Sequence, residues 1–308
     1  MIVTQNLTKR FNGVMAVDHL NLDVPEGVIY GFIGPNGAGK TTTIKMLATL
    51  LEPTEGEADI NGHNILVAPE AVRCSIGYMP DFFGVYDDMK VWEYLDFFAA
   101  AFKIKGQIRH RLVKDVLELT DLTAKRDGFV ETLSRGMKQR LCLARTLVHD
   151  PAALLLDEPA SGLDPRARVE IRELLRELKR MGKTIFISSH ILTELDEFCD
   201  MVGVIEQGKL LASGPIDEIK RRLQVKRCFE ITVREDMEKA RKALMADAGV
   251  QEVTIRDHVL QVSVDETHLD PGDLVELLVT GGYKVVACVE ERADLEDLFM
   301  RITKGVVS

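Results

Sequence analysis

Over the first two thirds of the chain, short runs of β-branched residues or leucine alternate with longer amphipathic stretches. Val28 to Ile33, Ala153 to Leu156 and Thr184 to Ser188 read as strands, and Arg166 to Lys179 carries its apolar positions at helical spacing. This alternation predicts an α/β fold, a mostly parallel sheet covered by helices. Between Trp92 and Thr120 the pattern is continuously helical, with Trp92, Tyr94, Leu95, Phe97, Phe98 and Phe102 crowded together. An inserted helical lobe with an aromatic core fits that stretch. After Arg222 the texture changes: Phe229 to Val233, Val253 to Ile255, Val259 to Val264 and Val285 to Val289 read as strands, Met237 to Met245 and Leu274 to Val279 as helices. The order β-α-β-β-α-β predicts a small ferredoxin-like α+β domain over 223–308, following a first domain over 1–222. Asp294 to Met300 closes the chain as an amphipathic helix.

Composition narrows the class. At 308 residues the chain can bury two cores, and 46% hydrophobic with 29% charged residues is ordinary for a soluble globular protein. No apolar stretch approaches the roughly 20 residues of a membrane-spanning helix, and Met1 to Gln5 lacks the features of a secretion signal, so a cytoplasmic location is expected. The five cysteines are scattered without a C-x-x-C pair and are expected to be buried, reduced thiols. A net charge of −10 argues against a nucleic-acid partner. The basic run Lys220-Arg221-Arg222, with Lys226-Arg227, reads as a solvated helix end.

The chemistry begins after the strand Val28 to Ile33. Gly34-Pro35-Asn36-Gly37-Ala38-Gly39-Lys40-Thr41 satisfies the phosphate-binding pattern G-x-x-x-x-G-K-[ST], and Thr42 continues it. Glycines let successive backbone N–H groups point at the phosphates of a nucleotide triphosphate, and a helix beginning near Lys40 adds the positive end of its dipole. Lys40 is placed to neutralise phosphate charge, and the Thr41 hydroxyl to ligate Mg²⁺. The apolar strand Ala153 to Leu156 ends in Asp157 and Glu158, which puts both carboxylates at the edge of the sheet where ligands of this architecture bind. Asp157 suits the Mg²⁺ shell, and Glu158 suits taking a proton from an attacking water.

Just before those acids stands Leu133-Ser134-Arg135-Gly136-Met137. With the two motifs above, it makes residues 2 to 214 resemble the ATP-binding cassette (ABC) family. The resemblance implies ATP as fuel and a P-loop cassette fold. It implies that Ser134, as a helix N-cap, and Gly136 meet the γ-phosphate held by a second cassette, in a head-to-tail pair that is a closed homodimer if both copies are this chain. Phe11 matches the residue that stacks on adenine, a place in the core being the alternative. Ser161-Gly162-Leu163-Asp164 matches the loop that crosses between protomers, and His190 the histidine that contacts the γ-phosphate, an ordinary polar strand end being the alternative. Two departures stand out: Asp81 occupies the place of the usual glutamine near Mg²⁺, and Arg135 and Met137 replace glycine and glutamine in the signature. The resemblance further implies a motor for a membrane transporter, peripheral on the inner face of the membrane, with Phe82 to Tyr86 docking an integral membrane subunit unless the lobe buries it. The C-terminal region is similar to that of exporter subunits, and holding the dimer together is its expected role. The rival readings are a soluble cassette ATPase serving translation or DNA maintenance, and a P-loop kinase or GTPase.

Overall fold

The chain begins with a hairpin written in its alternation. Ile2, Thr4 and Leu7 on one strand and Leu20, Leu22 and Val24 on the next are buried. Asn12 and Gly13 join them, both at positive φ (44° and 89°), a turn whose twist matches that of its strands. The computed structural model describes residues 1–82, 84, 86–191, 195–222, 227–234, 236–247, 249–256, 259–264 and 271–291. Strands β1 (Ile2–Phe11) and β2 (Val14–Val24) are followed by β3 (Ile29–Ile33), β4 (Glu55–Ile60) and β5 (His63–Asn64). All of these but β3 form an antiparallel sheet of order β2-β1-β4-β5, a layer not foreseen from the sequence.

The second sheet carries the chemistry. It adds β6 (Ile76–Met79), β7 (Ala153–Asp157), β8 (Thr184–Ser189), β9 (Met201–Glu206) and β10 (Lys209–Pro215) to β3, in the order β10-β9-β3-β8-β7-β6. All neighbours are parallel except β10 against β9. Every residue of β3, β7 and β8 is buried, with Tyr30, Phe32, Leu155 and Phe186 packed in one core with Leu7 and Leu20 of the opening hairpin and with Ile44 and Leu47; a sheet covered in this way reads as apolar runs rather than as alternation. Parallel strands also end together: the carboxyl ends of β3, β7 and β8 deliver Gly34, Glu158 and His190 to one edge.

Helices α1 (Lys40–Leu47) and α2 (Pro69–Ser75) belong to the first half of this unit. The lobe is α3 (Val91–Ala101) and α4 (Gly106–Leu119), two helices where the pattern predicts one. Lys103, at φ 59°, donates to Ala100 O (2.8 Å) and Ile104 donates to Ala99 O (3.2 Å), which closes α3 as a Schellman turn. The aromatic cluster is also less buried than expected. Tyr94 and Leu95 are core, whereas Phe97 and Phe102 are exposed, the rings meeting edge to face (Tyr94–Phe98 5.0 Å, Phe97–Phe98 5.2 Å). Helix α5 (Arg135–Leu147) precedes β7, and α6 (Pro165–Arg180) buries Ile171, Leu174, Leu175 and Leu178 along one stripe. All five cysteines are free, as expected, but only Cys142 is buried; Cys74 is exposed and the other three are partly buried.

The chain divides into two compact units, Met1–Ile216 and Asp217–Ser308. The division falls at the start of α7 (Ile216–Arg222), the helix that the basic run closes. The second unit has the chain order β11 (Arg227–Val233), α8 (Met237–Met245), β12 (Val250–Arg256), β13 (Val259–Val264), α9 (Pro271–Thr280) and β14 (Val285–Glu291). Its antiparallel sheet, β12-β13-β11-β14, sets the first and third strands at the centre and buries Phe229, Ile231, Leu260 and Val262 with Leu244, Leu274 and Leu278. The closing helix expected over Asp294 to Met300 lies outside the described residues, as does Lys226. No described helix is long and apolar enough to cross a membrane.

Candidate functional site

The loop after β3 is built so tightly that its glycines have no substitute. A Cβ on Gly34 would lie 2.2 Å from Ile205 O, and one on Gly39, at φ 111°, 2.5 Å from Ala16 O. Gly37, at φ 80°, has open space and is required for its conformation alone. Replacing Gly34 by alanine therefore drives the loop from β9. It is expected to cost about 1–3 kcal/mol, read as a lower unfolding midpoint in urea; an unchanged midpoint would mean that β9 gives way freely. Lys40, only 6% exposed, donates to Gly34 O (2.6 Å) and Pro35 O (3.2 Å). Its Nζ also lies 3.4 Å from Glu158 Oε1. Ala38, buried at the turn, accepts from Gly208 N at 2.9 Å and ties the loop to the β9–β10 turn.

Around Lys40 the structure assembles a cleft of about 300 Å³ lined by Asn36, Gly37, Gly39, Thr41, Thr42, Asp81, Glu158 and His190, with Ala16 and Ser161. These residues come from five separate stretches of chain, yet all but Ala16 were singled out in the sequence. Asp157 lies beneath the cleft, buried; its carboxylate accepts from the Ser188 hydroxyl at 2.7 Å and is also bonded by the Thr41 side chain. Burial pushes the Asp157 carboxyl upward, Ser188 and Thr41 hold it down, and the neighbouring Asp81 and Glu158 charges raise it again. Glu158 follows β7 with its backbone at φ 50°, a conformation few non-glycine residues adopt. Its Oε2 is 2.8 Å from His190 Nδ1, so the histidine orients the carboxylate while Lys40 faces its other oxygen.

Three sequence candidates lie elsewhere. Phe11 is at the tip of the first hairpin, 44% exposed, with Lys9 Nζ 5.2 Å from its ring centre; it belongs neither to the core nor to the cleft lining. Ser134 is the N-cap of α5, its Oγ accepting from Met137 N at 3.3 Å, and Gly136 follows on the first turn. Neither lines the cleft that holds Lys40. Two further contacts escaped the sequence. Arg135 donates from Nη2 to Ser161 O (3.3 Å), its guanidinium filling the space over Gly162. Buried Gln139 of α5 donates to Pro159 O at 2.5 Å, bracing the loop after Glu158. Asp164 caps α6 by accepting from Ala167 N (2.9 Å).

The cleft thus brings the phosphate loop, its lysine and the carboxylate of Glu158 together, with Asp157 beneath. Residues 17–161 match the ABC transporter family. Over its whole length the chain is 38% identical to the bacitracin transport ATP-binding protein BcrA of Bacillus licheniformis, covering 99% of this chain and 98% of that protein. The chain belongs to the ABC transporter family. This ABC protein is an ATPase, an ATP-binding and ATP-hydrolysing subunit. It is also 39% identical, over 72% of its length and 67% of the relative's, to the daunorubicin/doxorubicin resistance ATP-binding protein DrrA of Streptomyces peucetius. Residues 214–303 match the family described as ATP-binding protein DrrA1-3-like, C-terminal domain. A solved structure of an ATP-binding subunit of an ABC transporter superposes on the ABC ATPase with a TM-score of 0.65 at 30% identity, over 72% of this chain and 92% of that one.

Proposed function

We propose that this ABC ATPase is the motor subunit of an exporter, working as a head-to-tail pair of cassettes that drives a separate integral membrane subunit. The observation that carries this reading is a separation: the cleft holds phosphate loop, carboxylates and histidine, while the anion-binding tip at Ser134 and Gly136 stands outside it. A helix N-terminus offers free N–H groups and dipole to an anion, and a second copy's phosphate supplies one. Similarity to BcrA along the full chain supports export, since it includes the second unit.

Within one copy, the backbone N–H groups from Gly34 to Thr42 cradle the phosphates and Lys40 neutralises their charge. Glu158 receives the proton of the attacking water, and His190, bonded to its Oε2, holds the carboxylate in line and reaches the γ-phosphate. Thr41, Asp157 and Asp81 offer oxygen donors alone, the donor set of Mg²⁺, and would hold the ion beside the phosphates. When bound, it neutralises charge developing on the transferred phosphoryl group. Phe11, on its exposed hairpin, is free to stack on adenine.

The surface beside Asp81 suits a membrane partner. Phe82 is 89% exposed, and Tyr86 and Phe97, also exposed, meet edge to face with ring centres 5.9 Å apart. Phe83 and Val85 of this stretch lie outside the described residues. Aromatic rings left in water are the composition of an interface core, which favours docking over burial in the lobe. The subunit would then sit on the cytoplasmic face of the membrane, and residues 223–308 would serve as an accessory domain holding the pair together. The whole chain's net charge of −10 is unsuited to nucleic acid. Changing Phe82 and Phe97 to aspartate is expected to lower co-purification with the membrane fraction at least about tenfold. Hydrolysis by the isolated subunit should stay within about twofold, since neither ring lines the cleft. Undiminished membrane recovery of that variant would move the docking surface elsewhere.

A further inference from the structure

Ser188 lies on β8 directly opposite Asp157 of β7 in the parallel register and is completely buried. Partners in register on neighbouring strands project to the same face, so the small hydroxyl meets the carboxylate at the point where β7 ends. Its single O–H donates to Asp157 Oδ1 at 2.7 Å. A lone pair of the same oxygen accepts from the backbone N–H of Glu158 at 3.1 Å. One atom thus touches the last residue of the strand by its side chain and the first residue beyond it by its backbone.

That second contact falls on the residue whose backbone is least at ease. Glu158 is held at φ 50°, a conformation that costs a residue with a side chain and persists only where its surroundings impose it. Beyond the Ser188 contact, Gln139 holds the next loop through Pro159 O, and Lys40 and His190 hold the carboxylate itself. The adjacent Ser189 does a different task on the opposite face of β8: its Oγ accepts from Ile191 N at 2.9 Å and shapes the turn that carries His190. The two serines divide the labour of aiming Glu158 and His190 at each other.

We infer that Ser188 is a positioning residue of the ATPase: its hydroxyl sets the backbone of Glu158 and the carboxylate of Asp157 together. The inference rests on the proposed role of Glu158 as proton acceptor. Neither partner of Ser188 moves independently, because both hydrogen bonds share one oxygen, and a supporting group of this kind is worth about 10- to 100-fold in activity. A group that acts only on the reacting carboxylates changes turnover and leaves nucleotide affinity alone.

The test compares Ser188→Thr with Ser188→Val, which share size, shape and strand preference and differ by the hydroxyl. With the full chain, Ser188→Val is expected to lose about 10- to 100-fold in kcat and Ser188→Thr to keep at least about tenfold more than it. ATP affinity, measured by equilibrium binding in EDTA, should agree within about threefold among these variants and wild type. Should the added methyl prevent folding, Ser188→Ala removes the oxygen without adding volume and decides the matter: it stays folded, its kcat falls as far, and its EDTA affinity stays near wild type. Equal kcat for the threonine and valine variants, or a folded Ser188→Ala within twofold of wild type, overturns the inference. Glu158→Gln is assayed alongside: wild-type turnover there removes Glu158 as proton acceptor, whereas an inactive Glu158→Gln beside a fully active Ser188→Ala discards only the role of Ser188.

Discussion

Glu158→Gln is expected to lower ATP turnover by about 10³-fold while ATP binding stays the same or tightens. The two halves of this expectation have different physical origins. Turnover falls because an amide cannot accept the proton of the attacking water, although it fills the same space and can still meet His190 across the 2.8 Å now spanned by Oε2. Binding does not fall because the carboxylate competes with the nucleotide. Glu158 Oε1 is 3.4 Å from Lys40 Nζ in a largely buried setting, and an anion there draws on the cation that must meet the phosphates. Removing that charge frees Lys40 and removes repulsion between the side chain and the triphosphate. Single-turnover hydrolysis together with equilibrium ATP binding separates the two. A variant that hydrolyses ATP at the wild-type rate would take Glu158 out of the proton-accepting role, and one that binds ATP at least tenfold more weakly would show that its charge helps to build the cleft.

Much of the cleft was legible because its groups are neighbours in the chain. Gly34 to Thr41 and Asp157-Glu158 are contiguous, and each follows an apolar run whose length and burial mark it as a strand of a covered sheet. The second unit was readable for the same reason, its strands and helices succeeding one another with clear changes of period. Ser188 was not legible, because its meaning comes from register: nothing in the sequence says that it faces an acid 31 positions away. The break between α3 and α4 was hidden by chemistry. A Schellman turn usually announces itself with glycine at the left-handed position, and here Lys103 holds it at φ 59°. Phe97 and Phe102 misled in another way, since apolar character tells that a ring avoids water and not whether this chain or a partner shields it. The opening hairpin was within reach, since Asn12-Gly13 between alternating strands is a strong local signal.

Ser134→Asp is expected to abolish turnover, by about 10²- to 10³-fold, without touching ATP binding by an isolated copy. Aspartate is as good an N-cap as serine, so the bond now accepted from Met137 N, and with it the start of α5, survives. What changes is charge. In the proposed pair a carboxylate at the helix tip would face the γ-phosphate of the other copy's nucleotide, and two like charges about 4 Å apart repel by roughly 4 kcal/mol at an effective dielectric near 20. Because Ser134 does not line the cleft around Lys40, binding of ATP to one copy alone should match wild type within about threefold. The decisive version mixes two inactive variants. Lys40→Met loses its own phosphate site and keeps its signature, whereas Ser134→Asp keeps its phosphate site and loses its signature. In a mixed pair the sound cleft of one meets the sound helix tip of the other, so random exchange restores about a quarter of wild-type activity if the two sites fire independently. Two inactive variants that stay inactive after exchange, with mixed pairs demonstrated by mass spectrometry, would mean that the helix tip acts within its own chain, and the head-to-tail arrangement would fall with it.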